Sequence, residues 1–209
     1  MLAWCVLVGV ALYVCIDIAL HFLRPDLSLL HNAESDYGNG PHAWLMDINF
    51  EVRMLLSLAC VGLAWRDTGR SVAGRVGCVL LAVWAISSGI LGFFRDDPLG
   101  TAPTAHGAVH LVSAGIGFIA ALIGLLCLTI AYWPPASRSP RWALLIVWIV
   151  ALLALLALGH AGFRPHSPGG LYERIFLAAV LAWMAVLGAW RMLSGAASSR
   201  VTLEAHAGG

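Results

Sequence analysis

Seven of the eight histidines in this 209-residue chain (His21, His31, His42, His106, His110, His160 and His166) map to one side of a series of apolar stretches; only His206 does not. The acids follow them. Asp26, Glu34, Asp36, Asp47, Glu51, Asp96, Asp97 and Glu173 share that side, against Asp67 and Glu204 on the other. His106 and His110 stand four residues apart at a helix start and so share a face. Two imidazoles at that spacing can hold Zn, Cu or Fe. Asp17 and His21 have the same spacing at the end of the first apolar stretch, where a carboxylate is costly unless paired or protonated. His160 ends the fifth stretch at similar depth. Asp17, His21, His106, His110 and His160 therefore form a candidate Zn, Cu or haem b site. The competing assignment makes the histidines interfacial polar residues and Asp17 a partner of His21 or an arginine.

A second set can bind anions. The strings Phe22-Leu23-Arg24-Pro25-Asp26, Phe94-Arg95-Asp96-Asp97-Pro98 and Phe163-Arg164-Pro165-His166 recur at roughly 70 residues, 71 and 69 between arginines. Three consecutive helical hairpins would produce that period. Arg24, Arg95 and Arg164 would then ring one vestibule suited to an anionic headgroup. Helix ends marked independently by an aromatic, a snorkelling Arg and a Pro give the same strings. Glu173 and Arg174 suit an ion-pair network with Arg164 or Asp97. Ser35 is either a nucleophile near a histidine or, with Asp36, a helix cap.

These residues must be held by helices in a membrane. The chain is 60% hydrophobic and 11% charged, with a mean hydropathy of +0.85, where soluble domains are about half apolar and a quarter charged. A net charge of +1 provides no field for a polyanion, which excludes nucleic acid as a partner. All 12 cations are Arg. The lack of Lys excludes P-loop phosphate transfer and Schiff-base chemistry. Crossing a hydrocarbon core takes about 20 apolar residues, and six stretches qualify: 2–23, 43–65, 72–94, 108–133, 142–163 and 171–193. The expected fold is all-α and polytopic, one domain over 1–195 with a short cytoplasmic tail over 196–209. The second stretch is irregular. Asp47, Asn49, Glu51 and Arg53 occupy its first half, at headgroup depth or facing other helices.

The first stretch lacks a basic n-region and a small-residue cleavage site, so it reads as a retained helix. Arg66, Arg70, Arg75, Arg138, Arg141, Arg191 and Arg200 outnumber Arg24, Arg95, Arg164 and Arg174, which places both termini in the cytoplasm of an inner membrane and the histidine-rich side in the periplasm. All five cysteines lie inside spans without a C-x-x-C pair and read as buried apolar residues.

Several strings, taken together, resemble a bacterial six-helix membrane family, domain of unknown function 998. They are Arg24-Pro25, Ala33-Glu34-Ser35-Asp36-Tyr37, Gly40, Trp44-Leu45-Met46, Phe94 to Pro98, His110 and Gly170-Leu171-Tyr172-Glu173-Arg174-Ile175. The resemblance implies a six-helix integral membrane protein and brings no activity. It carries over Arg24, Ser35, Asp97, His110 and Arg174, but not His21, His106 or His160. Glu51 and Arg53 depart from the family's apolar and small residues.

The expected function is recognition of a membrane lipid headgroup or a membrane protein partner at Arg24, Ser35, Asp36, Arg95, Asp97, Arg164, Glu173 and Arg174. The alternatives are a metal-dependent lipid hydrolase built on His106 and His110, and haem b electron transfer. These residues fit an enzyme and a binding protein alike.

Overall fold

The computed structural model describes residues 1–98, 100–133, 140–164 and 166–207, with side chains described as far as residue 195. Arg138, the Arg200 side chain and Pro134, Pro135 and Pro165 lie outside the described residues. Six helices follow one another: α1 (Leu2–Leu23), α2 (Ala43–Thr68), α3 (Val72–Phe93), α4 (Ala105–Ala131), α5 (Arg141–Ala161) and α6 (Gly169–Ala207). Each is long and apolar enough to cross a membrane. α2 runs three residues beyond the expected Trp65, and α4 starts at Ala105 rather than Ala108. α6 continues past 195 through most of the expected tail.

Local chemistry sets several of these ends. Ser71 accepts the Gly74 N–H at 2.9 Å and Thr104 accepts that of Gly107 at 3.0 Å, each satisfying a first-turn donor that no carbonyl can reach. The helices pack in a ring: α1 on α2, α2 on α3, α3 on α4, α4 on α5, α5 on α6, and α6 back on α1. The seam between α4 and α5 is the thinnest of the six. The pairs α1–α2, α3–α4 and α5–α6 are neighbours, as three hairpins require, but α2 packs on α3 as closely, so contact does not single out a repeat. Gly77 sets a close crossing of α3 and α4. A Cβ there would come within 2.9 Å of the Gly124 carbonyl on α4, so only glycine lets the two backbones meet.

α1 begins and α6 ends at one end of the bundle, here called proximal. The 24–42, 94–104 and 162–168 connections lie at the distal end. The larger apolar core fills the proximal half, with Leu63, Leu81, Leu125, Leu128, Trp183 and Leu187 all buried. Most of its buried polar side chains are paired, Trp190 Nε1 excepted. Trp183 Nε1 donates to Thr129 at 3.0 Å, and the Tyr132 hydroxyl donates to Asp67, which also pairs with Arg191 at 3.0 Å.

The distal half is built differently. Its 24–42 connection turns back into the bundle, where a 3-10 turn (Glu34–Gly38) is buried against α2 and α6 and reaches α1 through Glu34 and Tyr37. Glu34 reaches Tyr13, ten residues before the end of α1, about 15 Å along the axis at 1.5 Å per residue. Non-helical backbone is tolerated at such depth only where protein surrounds it.

Candidate functional site

Arg53 organises the distal half. It is 2% exposed, on the face of α2 that carries Met46, Asn49, Phe50 and Ser57. A bare cation inside a membrane protein is prohibitive, so its partners must come from several helices. Nε donates to Ser88 of α3 at 2.6 Å and Nη1 to the Tyr13 hydroxyl of α1 at 3.2 Å. Nη1 also lies 3.9 Å from Glu34 Oε2. The guanidinium carbon is 4.7 Å from the centre of the Trp84 ring and 5.1 Å from that of Phe50, within cation–π range of both.

Glu34 is the second centre. Its Oε1 accepts the Tyr13 hydroxyl at 2.5 Å, and its backbone N–H donates to Glu173 Oε2 at 2.7 Å, joining the turn to α6 across 139 residues of sequence. Glu34 and Glu173 are 3% and 7% exposed. Burial, followed by the nearby Asp17 charge, pushes the Glu34 carboxyl up to about 7. Oε2 has no hydrogen-bond partner.

Above this pair, Ser35 donates to Asp96 Oδ2 at 2.9 Å, and the Asp97 N–H donates to Asp96 Oδ1. His110 is buried and gives its Nδ1–H to the Phe94 carbonyl at 2.6 Å. That bond fixes the ring, leaving Nε2 4.0 Å from Asp96 Oδ2. Glu34, Ser35, Arg53, Asp96, His110 and Glu173 line the polar end of a cavity of about 180 Å³. Leu111, Ala114, Gly115 and Phe118 of α4, with Leu158 of α5 and Phe163 just after it, form its apolar wall at the thin α4–α5 seam.

The structure brings together part of the expected site. Ser35, His110 and Glu173 meet at this cavity, joined by Asp96, which was not among the expected site residues. Ser35 contacts Asp96, so it is neither bonded to a histidine nor capping a helix. Asp36 is half-buried, accepts from Asn32 at 2.8 Å, and has its carboxyl raised by burial. Asp97 turns away to cap the loop before α4. The Thr104 N–H and hydroxyl donate to it at 2.8 and 2.7 Å and hold its carboxyl below the usual range.

The arginines do not ring one vestibule. Arg24 is clamped by Asp26 at 2.7 Å and by the Asn39 carbonyl. Arg95 pairs with Asp47 at the surface and Arg164 is exposed. Arg174 donates to the carbonyls of Leu29, Asn32 and Gly170, tying α6 to the distal connection. Nor do the candidate metal ligands converge. His21 contacts Tyr37 at 3.3 Å, His106 stacks on Phe94, His160 is exposed, and Asp17 lies on the far side of Glu34 from His110. Among the described residues no three His, Cys, Asp or Glu side chains are grouped closely enough to hold a metal ion.

Sequence reasoning missed Tyr13 and the centrality of Glu34 and Arg53. Arg53 carried a signal, being a charge inside an apolar stretch. Tyr13 carried a weaker one, as a tyrosine far from both ends of its helix.

Six apolar membrane-length helices in a ring around a buried polar cluster define a multi-pass integral membrane protein. The chain belongs to the family described as protein of unknown function (DUF998), whose model matches residues 7–190. No curated protein and no solved structure matches it.

Proposed function

We propose that the protein binds one membrane amphiphile, with its headgroup at Glu34, Ser35, Asp96, His110 and Glu173 and its chain along the α4–α5 seam. The observation that carries this reading is a single cavity with an acid-rich end and an apolar wall at the thinnest helix contact. Three carboxylates against one guanidinium, itself engaged by Ser88 and Tyr13, favour a headgroup that donates hydrogen bonds, an amine or a hydroxyl. With both termini in the cytoplasm of an inner membrane, this headgroup site lies toward the periplasm. Recognition without turnover fits the side chains: the Ser35 hydroxyl and the His110 Nδ1–H are both committed to other partners.

Gly115 supplies the test, since a Cβ there meets nothing within 4 Å and the residue lines the cavity. Gly115→Trp fills the site, while Gly159→Trp on α5, equally open but outside the lining, serves as the control. Lipid co-purifying with each protein is quantified by mass spectrometry. One species should be depleted about tenfold in Gly115→Trp, a loss of about 1.4 kcal/mol, and retained in the control. Identical lipid content in all three proteins refutes the proposal.

A further inference from the structure

Glu34 borders two cavities. The second, of about 380 Å³, lies between α1 and α6 and is lined by Val10, Tyr13, Val14, Asp17, Glu34 and Arg174, with Leu177, Ala178, Leu181 and Ala182 completing the α6 wall. It carries charges of both signs that do not satisfy one another. Asp17 Oδ1 and Glu34 Oε2 are buried acceptors without a hydrogen-bond partner, and Arg174 Nε and Nη2 are buried donors without one. Asp17 and Arg174 line the same cavity, yet no ion pair within 4.0 Å joins them. Arg174 is held back by the carbonyls of Leu29, Asn32 and Gly170, which take Nη1, and its guanidinium carbon lies 5.6 Å from the Tyr37 ring centre.

Buried polar atoms in native proteins are nearly always paired. An opposed carboxylate and guanidinium held apart across a cavity leave each needing a partner that neither supplies to the other. Glu34 has Arg53 3.9 Å away but keeps Oε2 without a hydrogen-bond partner, and it stands beside Asp17, so two neighbouring carboxyls and one cation, Arg174, face this cavity. A ligand carrying both signs meets both at once. We propose that the α1–α6 cavity is a second binding site, taking a zwitterionic group whose ammonium sits against Asp17 and Glu34 and whose anionic oxygens sit against Arg174. The apolar remainder of the lining, with Val14 41% exposed at its edge, suits either the first methylenes of a lipid or the short chain of a free zwitterion. A purely anionic headgroup would meet Arg174 but be repelled by Asp17.

The site is separate from the amphiphile cavity across Glu34, and the two fail independently under variants that touch only one. The full chain, purified in detergent, is exposed to phosphatidylethanolamine, to phosphatidylglycerol as the anion-only counterpart, and to free phosphoethanolamine. Retained lipid is counted by native mass spectrometry and the free solute is followed by thermal shift. Either phosphatidylethanolamine is retained in preference to phosphatidylglycerol, marking a lipid headgroup, or free phosphoethanolamine stabilises the protein, marking a soluble zwitterion. Asp17→Asn should weaken the responding ligand at least about tenfold, and Ala182→Leu, which fills the cavity without touching a charge, should do the same. Both losses should persist in a Gly115→Trp background, where the other cavity is filled. Equal retention of the two lipids with no response to the free zwitterion overturns the proposal, as does full binding by either cavity variant.

Discussion

The two halves of the bundle handle polar groups in opposite ways. In the proximal half, buried hydroxyls, an indole and the Asp67 carboxyl are paired side chain to side chain or onto a helix carbonyl. Trp190 Nε1 is the exception among the buried side-chain atoms described there. In the distal half Asp17, Glu34, Asn49, Glu51 and Arg174 all keep buried atoms without partners. A protein does not need a buried arginine or an inserted turn merely to stand in a membrane, and the proximal half shows the plain solution. Unmet polar capacity concentrated on one side marks where selection has favoured something besides stability.

The largest expected effect breaks the distal network at its centre. Arg53→Leu leaves Glu34 without its cation and Ser88 and Tyr13 without a donor. It should cost about 3–5 kcal/mol, the range for removing one member of a buried pair, seen as a large loss of thermal stability in detergent. Its proximal counterpart is smaller. Leu125→Ala, at a fully buried position, should cost about 2 kcal/mol, the low end for a core truncation, because lipid rather than water is the reference solvent between helices. A Leu125→Ala loss exceeding that of Arg53→Leu would reverse the ranking of the two halves.

The third contrast is in pH. Glu34 is raised from 4.5 to about 7, so between those values the folded protein holds a proton that the unfolded chain has released. Stability should therefore fall as pH rises through that window. Glu34→Gln should flatten the unfolding-temperature profile there. An unchanged slope in the variant would assign the effect to another group.

Weaker still is the cap before α4. Thr104→Ala removes the acceptor of the Gly107 N–H and a donor to Asp97, and about 1 kcal/mol is expected. Arg95→Ala, at an exposed pair with Asp47, should change stability by less than about 0.5 kcal/mol. A larger loss would mean that the distal surface, and not only its buried network, carries stability.

Much of the fold was legible because it rests on short-range chemistry. The spans follow from apolar length, and Arg24-Pro25 and Asp97-Pro98 fall in connections between helices. Depth was legible too: Ser35, Asp96, His110 and Glu173 were placed at one end of the bundle and do meet there. Azimuth was not. Sequence put His106 and His160 at the right level, but they face outward, since which face a helix turns inward depends on neighbours far away in the chain. Glu34 meets Glu173 across 139 positions, and no local pattern announces that. Arg53 was legible as an anomaly and illegible as a centre, because its partners come from α1, α3 and the inserted turn.

The central claim is that the cavity between the Glu34–Asp96–His110 end and the α4–α5 wall holds an amphiphile. A density map of the full chain in lipid nanodiscs tests it most directly. The account predicts an elongated feature running from Asp96 past Gly115 to Phe118, its head within hydrogen-bonding distance of Ser35 or Glu173. A cavity closed by Phe163 against α4, or one holding only isolated water peaks, would contradict it.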